Sequence, residues 1–414
     1  MTHVNVFDTI FIMPNKVIFS ILDTSAFGGA EQYMFSHLRF LSHQGYHIIL
    51  ATNNLKVKEI MLSRLDVKEK EQFKIIRAPY RLDAIGNWKG LIKFFVALPR
   101  ALIWAYVTMK RLSKTFDKVI CLWPGYSDRS VFSPIAKYFN LPLIWIEFGT
   151  LEPIYKRNWG FPKQLFQIPS SLANHLITSS EYTQKSIVKN SRFNKHNISL
   201  VYPGTKIFTK DELEFYKVKA SDWLKKNNLK QTTLLTVVGR LAHENEINMV
   251  VYGYSLLLKL HKKENYLLQI IGDGPQREEL NSLVNKLNIQ DKVIFRGFIS
   301  EEDKRIMLSA STAFIFPRAW ELDGFGMTTI EAMALGVPIV TTNFGPQIEI
   351  VKDGIDGFRY KPHDSNDLAK KLEQIVTLSA AKRNSMKKAS LERVKAFADN
   401  ISHQKMLEII QKYG

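Results

Sequence analysis

Hydrophobic positions along this chain follow two periods that alternate with each other. Short runs of β-branched and large aliphatic residues, such as Val17-Ile18-Phe19-Ser20-Ile21-Leu22, give way to longer stretches with helical apolar spacing. In the first half the runs predict strands over 17–22, 46–51, 118–122, 143–146, 175–178 and 198–202, with a helix over 30–42 that Gly45 closes. After 231 the pattern restarts, with strands over 234–238, 267–271, 292–295, 313–316 and 338–342. Two helical stretches, 365–378 and 380–412, end the chain. Strand and helix in strict turn is the pattern of βαβ units and parallel sheets. Residues between about 205 and 231 are helical, charged and poor in core positions, which predicts a link between domains. The expectation is α/β: two Rossmann-like, doubly wound domains facing a cleft. The first covers 1–205, the link 206–231 and the second 232–395, with a C-terminal helix of about 396–414 packing back on the first. Ligands of such sheets sit at the carboxyl ends of the strands.

Composition narrows the class. A length of 414 residues fits two domains, and 45% hydrophobic with 23% charged residues is ordinary for a globular chain. The single cysteine, Cys121, excludes a disulfide framework and a thiolate metal cluster within one chain. The N-terminus lacks the basic and apolar regions of a secretory signal. The longest apolar stretch, 91–109, is interrupted by Lys93, Pro99 and Arg100, which argues against a membrane span. These features point to a cytoplasmic protein, with peripheral attachment to the inner membrane face as an option.

The net charge is +18, and residues 1–205 carry 26 Lys and Arg against 13 Asp and Glu. Such a field concentrates anionic partners: phospholipid head groups, lipid-linked pyrophosphates or nucleic acid. A merely solubilising surface gives the same count. The segment 88–114 mixes Phe94, Phe95, Trp104 and Tyr106 with Lys89, Lys93, Arg100, Lys110, Arg111 and Lys114. That is the composition of a helix lying on an anionic membrane, and equally of a buried helix flanked by solvated lysines. No zinc spacing or groove-reading motif accompanies it, so nucleic acid ranks last among the partners.

The densest chemical signal is Asp323-Gly324-Phe325-Gly326-Met327-Thr328-Thr329-Ile330-Glu331, between the strand at 313–316 and a helix that ends near Gly336. Its glycines allow close backbone approach, Thr328 and Thr329 are placed to cap, and the first-turn amides suit a phosphate or sugar oxygen. Arg240 follows the strand at 234–238, where a guanidinium can grip a pyrophosphate bidentately. Gly272-Asp273-Gly274-Pro275 ends the next strand in a tight turn with room for a flat base.

In this order the motifs make the chain resemble the large family 4 of retaining glycosyltransferases with the GT-B fold. They are Gly28-Gly29-Ala30-Glu31, Thr178-Ser179-Ser180-Glu181, Val201-Tyr202-Pro203-Gly204, Val238-Gly239-Arg240-Leu241, Ile271 to Pro275, Asp323 to Ala334 and Gly336-Val337-Pro338, then Asp353-Gly354 to Gly357-Phe358. The resemblance implies transfer of a sugar from a nucleotide diphosphate, UDP- or GDP-linked, to a hydroxyl of a glycan or lipid-linked acceptor, without a bound metal or other cofactor. Arg240 would hold the diphosphate and Glu331 the ribose hydroxyls. Asp323 and the amides of Phe325, Gly326, Met327 and Thr328 would face sugar and phosphate. Gly272, Gly274, Pro275 and Phe298 would line the base, and Gly28 and Gly29 would bring the first domain to the donor phosphate.

Three positions depart from the family pattern. Asp323 stands where the family has glutamate, and Asn245 where a lysine joins the arginine on the diphosphate. Glu147 occupies the strand end at which many relatives place a histidine, and is the candidate there for acceptor or sugar contact. Asn245 and Asp323 also admit an alternative, a degenerate fold that binds a nucleotide sugar without turnover.

Overall fold

The computed structural model describes residues 16–22, 28–80, 82, 88–123, 126–151, 169–191, 193–262, 264–320 and 325–413. The chain divides into two compact units, 1–202 together with 402–414, and 203–401.

The first unit is built on seven strands: β1 (Lys16–Ile21), β2 (His47–Thr52), β3 (Phe73–Arg77), β4 (Lys118–Trp123), β5 (Leu143–Glu147), β6 (His175–Thr178) and β7 (Ile198–Leu200). All pairs are parallel and the order is β3-β2-β1-β4-β5-β6-β7. Beside it lie α1 (Gly29–His43), α2 (Leu55–Arg64), α3 (Val67–Gln72), α4 (Trp88–Thr115), α5 (Tyr126–Tyr138) and α6 (Glu181–Asn190). Helices cover both faces, so β1 after Lys16 and all of β5 are buried, and both read as largely apolar runs, with Ser20 in β1 and Glu147 at the end of β5 as the polar positions. Alternation survives only as a division of labour. Val17, Phe19 and Ile21 face the layer of α4, while Ile18 faces the layer of α1. The edge strand β3 escapes the sequence pattern because only Phe73 and Ile76 of its five residues are buried.

The second unit repeats the plan with β8 (Thr233–Val238), β9 (Tyr266–Ile271), β10 (Val293–Gly297), β11 (Ala313–Phe316), β12 (Ile339–Thr342) and β13 (Gly357–Tyr360). Its parallel order is β10-β9-β8-β11-β12-β13, the same winding as the first six strands of the other sheet. The topological switch point therefore falls between β8 and β11. The helices are α7 (Lys210–Lys226), α8 (Ile247–Leu260), α9 (Arg277–Lys286), α10 (Glu301–Ser309), α11 (Met327–Ala334), α12 (Gln347–Ile350), α13 (Ser365–Val376) and α14 (Ala380–Arg393).

Two boundaries differ from the sequence reading. The predicted link 206–231 contains α7, a helix of the second unit that opens on a Thr209–Glu212 capping box and packs on α10. Only Tyr216 and Ala220 of this helix are buried, which is why its pattern looks like a linker. The stretch 380–412 is broken by a 3₁₀ turn at Val394–Phe397, after which α15 (Asp399–Gln411) begins. The Thr205 amide bonds the Phe397 carbonyl at 2.9 Å, and the Asp399 amide bonds the Thr205 carbonyl at 3.1 Å. Outgoing and returning chain are tied together there.

Met406, Leu407, Ile409 and Ile410 of α15 enter the α1 layer of the first unit. Within that layer His37 lies between the Tyr33 carbonyl, 2.8 Å away, and the Ser402 hydroxyl, 3.1 Å away. Burial, helped by nearby His403, lowers its pKa to about 3. The unfolded chain thus takes up this proton near the ordinary histidine value while the folded chain refuses it. Stability is untouched above pH 6.5 and falls as the pH drops below it. We expect His37 alone to cost about 2 kcal/mol between pH 6.5 and 5. Urea denaturation across that range measures it, and His37→Gln should flatten the slope.

Candidate active site

β8 and β11 are neighbours, so the segments leaving their carboxyl ends emerge side by side at the switch point of the second unit. Arg240 comes two residues after β8. Its exposed side chain makes no hydrogen bond or ion pair among the described residues. A solvated cation there can accept an anion without first losing a partner. Asn245 turns inward: its side-chain amide donates to the Arg240 carbonyl at 2.6 Å and ties the loop that presents the arginine.

Beyond β11, α11 starts at a Gly326 N-cap with φ of +95°. A side chain here would meet both the backbone strain of that region and Gln347, whose Nε2 lies 2.3 Å from a built Cβ. Gln347 is buried and organises the whole turn. Its Nε2 donates to the Phe325 carbonyl at 2.9 Å, and its Oε1 accepts the hydroxyls of Thr329 and Thr341, each at 3.1 Å. The expectation that Thr328 and Thr329 cap this helix is therefore corrected. Thr329 points into the core, and among the described residues no side chain caps the first turn. The amides of Met327 and Thr328 are left for a ligand. Phe325 itself is buried, its ring edge-on to Phe397 at 5.5 Å. Asp323 lies outside the described residues.

Glu331 sits one turn into α11, and its Oε2 accepts from Lys304 of α10 at 2.9 Å. Lys304 also bonds Glu301 at 2.8 Å. Burial raises the Glu331 pKa, while the Lys304 charge pulls it back. The lysine favours the ionised form of this half-buried carboxylate. Sequence reading missed Lys304 because it lies in an acidic helix start that resembles a solvated face. Lys304→Met should move the acid limb of any Glu331-dependent pH profile to higher pH. An unmoved limb would show that the pairing does not control the carboxylate.

Gly272 and Gly274 have a reason of their own. A Cβ on Gly272 would lie 2.0 Å from the Gly239 carbonyl oxygen, and one on Gly274 2.4 Å from that of Leu241. The turns after β8 and β9 press backbone on backbone, bonded from Leu241 N–H to the Asp273 carbonyl at 3.1 Å. These glycines therefore serve the protein's own packing before any base. Pro275 remains exposed, and so does Phe298, at 84%.

In the first unit, Glu147 at the end of β5 is neither solvated nor open. Arg129 of α5, buried against the Trp145 ring, donates Nη1 to its Oε2 at 2.5 Å and Nη2 to the Ile146 carbonyl. The Phe148 amide takes Oε1 at 3.2 Å. This carboxylate, proposed from the sequence as an acceptor or sugar contact, balances a buried guanidinium. Gly28 caps α1, and its N–H bonds Glu31 at 2.8 Å; Gly29 is the first helical residue and exposed. A groove of about 1240 Å³ in this unit is lined by none of the candidate donor-site residues, but by Lys93 and Arg100 of the segment 88–114.

Residues 220–393 match the model of the glycosyl transferases group 1. The chain carries a group 1 glycosyltransferase domain. That match runs from within α7 to the end of α14 and includes Arg240, Asn245, Phe298 and Glu331. Among similar proteins, 2-deoxystreptamine N-acetyl-D-glucosaminyltransferase of Niallia circulans is 34% identical over 36% of this chain and 36% of its own. O-antigen chain mannosyltransferase RfbU of Salmonella typhimurium is 23% identical over 66% of this chain and 76% of its own. The chain spans 31% to 42% of the length of three further curated relatives. A crystal structure of Anabaena HepE in complex with UDP superposes with a TM-score of 0.76 at 14% identity, over 96% of this chain and 100% of that one. Around the group 1 domain, then, the fold is GT-B: two Rossmann-like units.

Proposed function

We infer that this protein is a retaining, metal-independent glycosyltransferase. It moves a sugar from a UDP- or GDP-linked donor to a hydroxyl of a glycan or lipid-linked acceptor. One observation carries this reading: an arginine without a partner and a helix start without a side-chain cap, both among the described residues, leave adjacent strands at one switch point. In it the diphosphate lies between the Arg240 guanidinium and the Met327 and Thr328 amides. Glu331 takes ribose hydroxyls with the oxygen that Lys304 leaves open, and Asp323 faces the sugar. Pro275 and Phe298 flank the base. Charge builds on the leaving diphosphate as the glycosidic bond breaks, and preorganised donors there lower the barrier without reorganising. The departing phosphate takes the acceptor proton. The matched relatives include proteins named for hexosaminyl and mannosyl transfer, which supports a hexose-type donor.

The test is nucleotide release from a panel of UDP- and GDP-sugars, with free glycans and polyprenyl-linked saccharides as acceptors, and NMR of the product anomer. Inversion, or no release from any pair, would sink this reading. Asn245→Lys adds a cation beside Arg240 and removes one loop bond. We expect severalfold tighter UDP binding by calorimetry, at a cost of about 1 kcal/mol in stability. Weaker binding would mean that the loop tie matters more than the added charge.

A further inference from the structure

α4 carries large apolar residues on two opposite faces. Phe94, Ala101, Ala105, Met109 and Leu112 are buried in the core of the first unit. On the opposite face Ile92, Val96 and Ile103 are 62%, 77% and 67% exposed, and Phe95, Tyr106 and Val107 widen the strip. At 3.6 residues per turn, positions 92, 96, 103, 107 and 110 share one side. A surface helix ordinarily turns a polar face to water, so this second apolar face is the anomaly. Pro99 and Arg100 do not interrupt the helix. Ile92–Thr115 is long and apolar enough to cross a bilayer, but crossing would strip the sheet of its α4 layer.

Charge indicates what covers this face. Residues 84–116 contain no Asp or Glu, and Lys89, Lys93, Arg100, Lys110, Arg111 and Lys114 all lie in that stretch. The groove beside α4 adds Lys56 and Arg77 to Lys93 and Arg100, with Ile92 and Val96 on its apolar wall and no carboxylate among the described residues that line it. A twofold contact between copies through this face would set its cations against their own counterparts. An anionic bilayer meets both demands, apolar depth for the strip and phosphates for the cations.

We propose that the outward face of α4 and the adjoining groove dock the protein on an anionic lipid bilayer. The strip enters the headgroup–acyl boundary, and Lys56, Arg77, Lys93 and Arg100 engage lipid phosphates. Docking of this kind does not depend on sugar transfer. Co-sedimentation with vesicles of phosphatidylcholine alone, and of phosphatidylcholine with phosphatidylglycerol, tests it on the full chain. The protein should pellet with the anionic vesicles only, and less as salt is raised. Val96→Asp/Ile103→Asp and Arg100→Glu/Lys110→Glu should each weaken that binding about tenfold or more. The second pair alters only exposed cations and carries the test should the first fail to fold. Three outcomes would overturn the proposal: equal binding to both vesicle types, unchanged binding in both variants, or a dimer that the variants dissociate without any vesicle binding.

Discussion

Arg240→Ala should lower kcat/KM for the nucleotide-sugar donor about a hundredfold while leaving thermal unfolding unchanged. A bidentate, charge-assisted contact to phosphate is worth up to about 3 kcal/mol, and truncation removes all of it. The fold should not notice, because the side chain is exposed and without a partner among the described residues. Arg240→Lys should restore only part of the loss, since an ammonium is a point charge and cannot match two phosphate oxygens in one plane. Steady-state kinetics with a saturating acceptor separates these variants. Turnover near that of the parent in the alanine variant would remove the arginine from the site.

Gly272→Ala is expected to be the most damaging single methyl group in the second unit. The added carbon would sit 2.0 Å from a carbonyl oxygen, and that oxygen belongs to Gly239, whose own N–H is bonded to Ile271. Nothing flexible is available to give way. A φ of +125° adds strain for any L side chain. Together they should cost about 4 kcal/mol or more, enough to unfold the unit or prevent soluble expression. Gly297→Ala is the control. It has positive φ too, but no heavy atom within 4 Å of its Cβ position, so only about 1–2 kcal/mol of conformational strain is expected. Equal effects at the two positions, measured by chemical denaturation, would show that the strand ends do not cross as closely as described.

Sequence pattern reveals buried strands well and their neighbours poorly. β1, β5 and β11 are dominated by buried apolar residues, and their runs stand out. β3 and β13 are edge strands with two buried residues each, too few to form a run. α7 looks like a linker because one face is thinly buried, and the break before α15 hides in a stretch of uniformly good helix formers. In the site, residues that act through a local turn were legible. Gly326 and Arg240 are marked by their place after a strand. Residues defined by a partner elsewhere in the chain were not. Gln347 lies 18 residues from Thr329, Lys304 lies 27 from Glu331, and Arg129 lies 18 before Glu147. Nothing in linear spacing couples them. The same limit hides the counter-ion of Glu147, which only the folded unit reveals.

A crystal structure of the protein with UDP tests the central claim most directly. The diphosphate is expected within hydrogen-bonding distance of both the Arg240 guanidinium and the Met327 and Thr328 amides. A diphosphate bound elsewhere, or that guanidinium turned away from the start of α11, would contradict it.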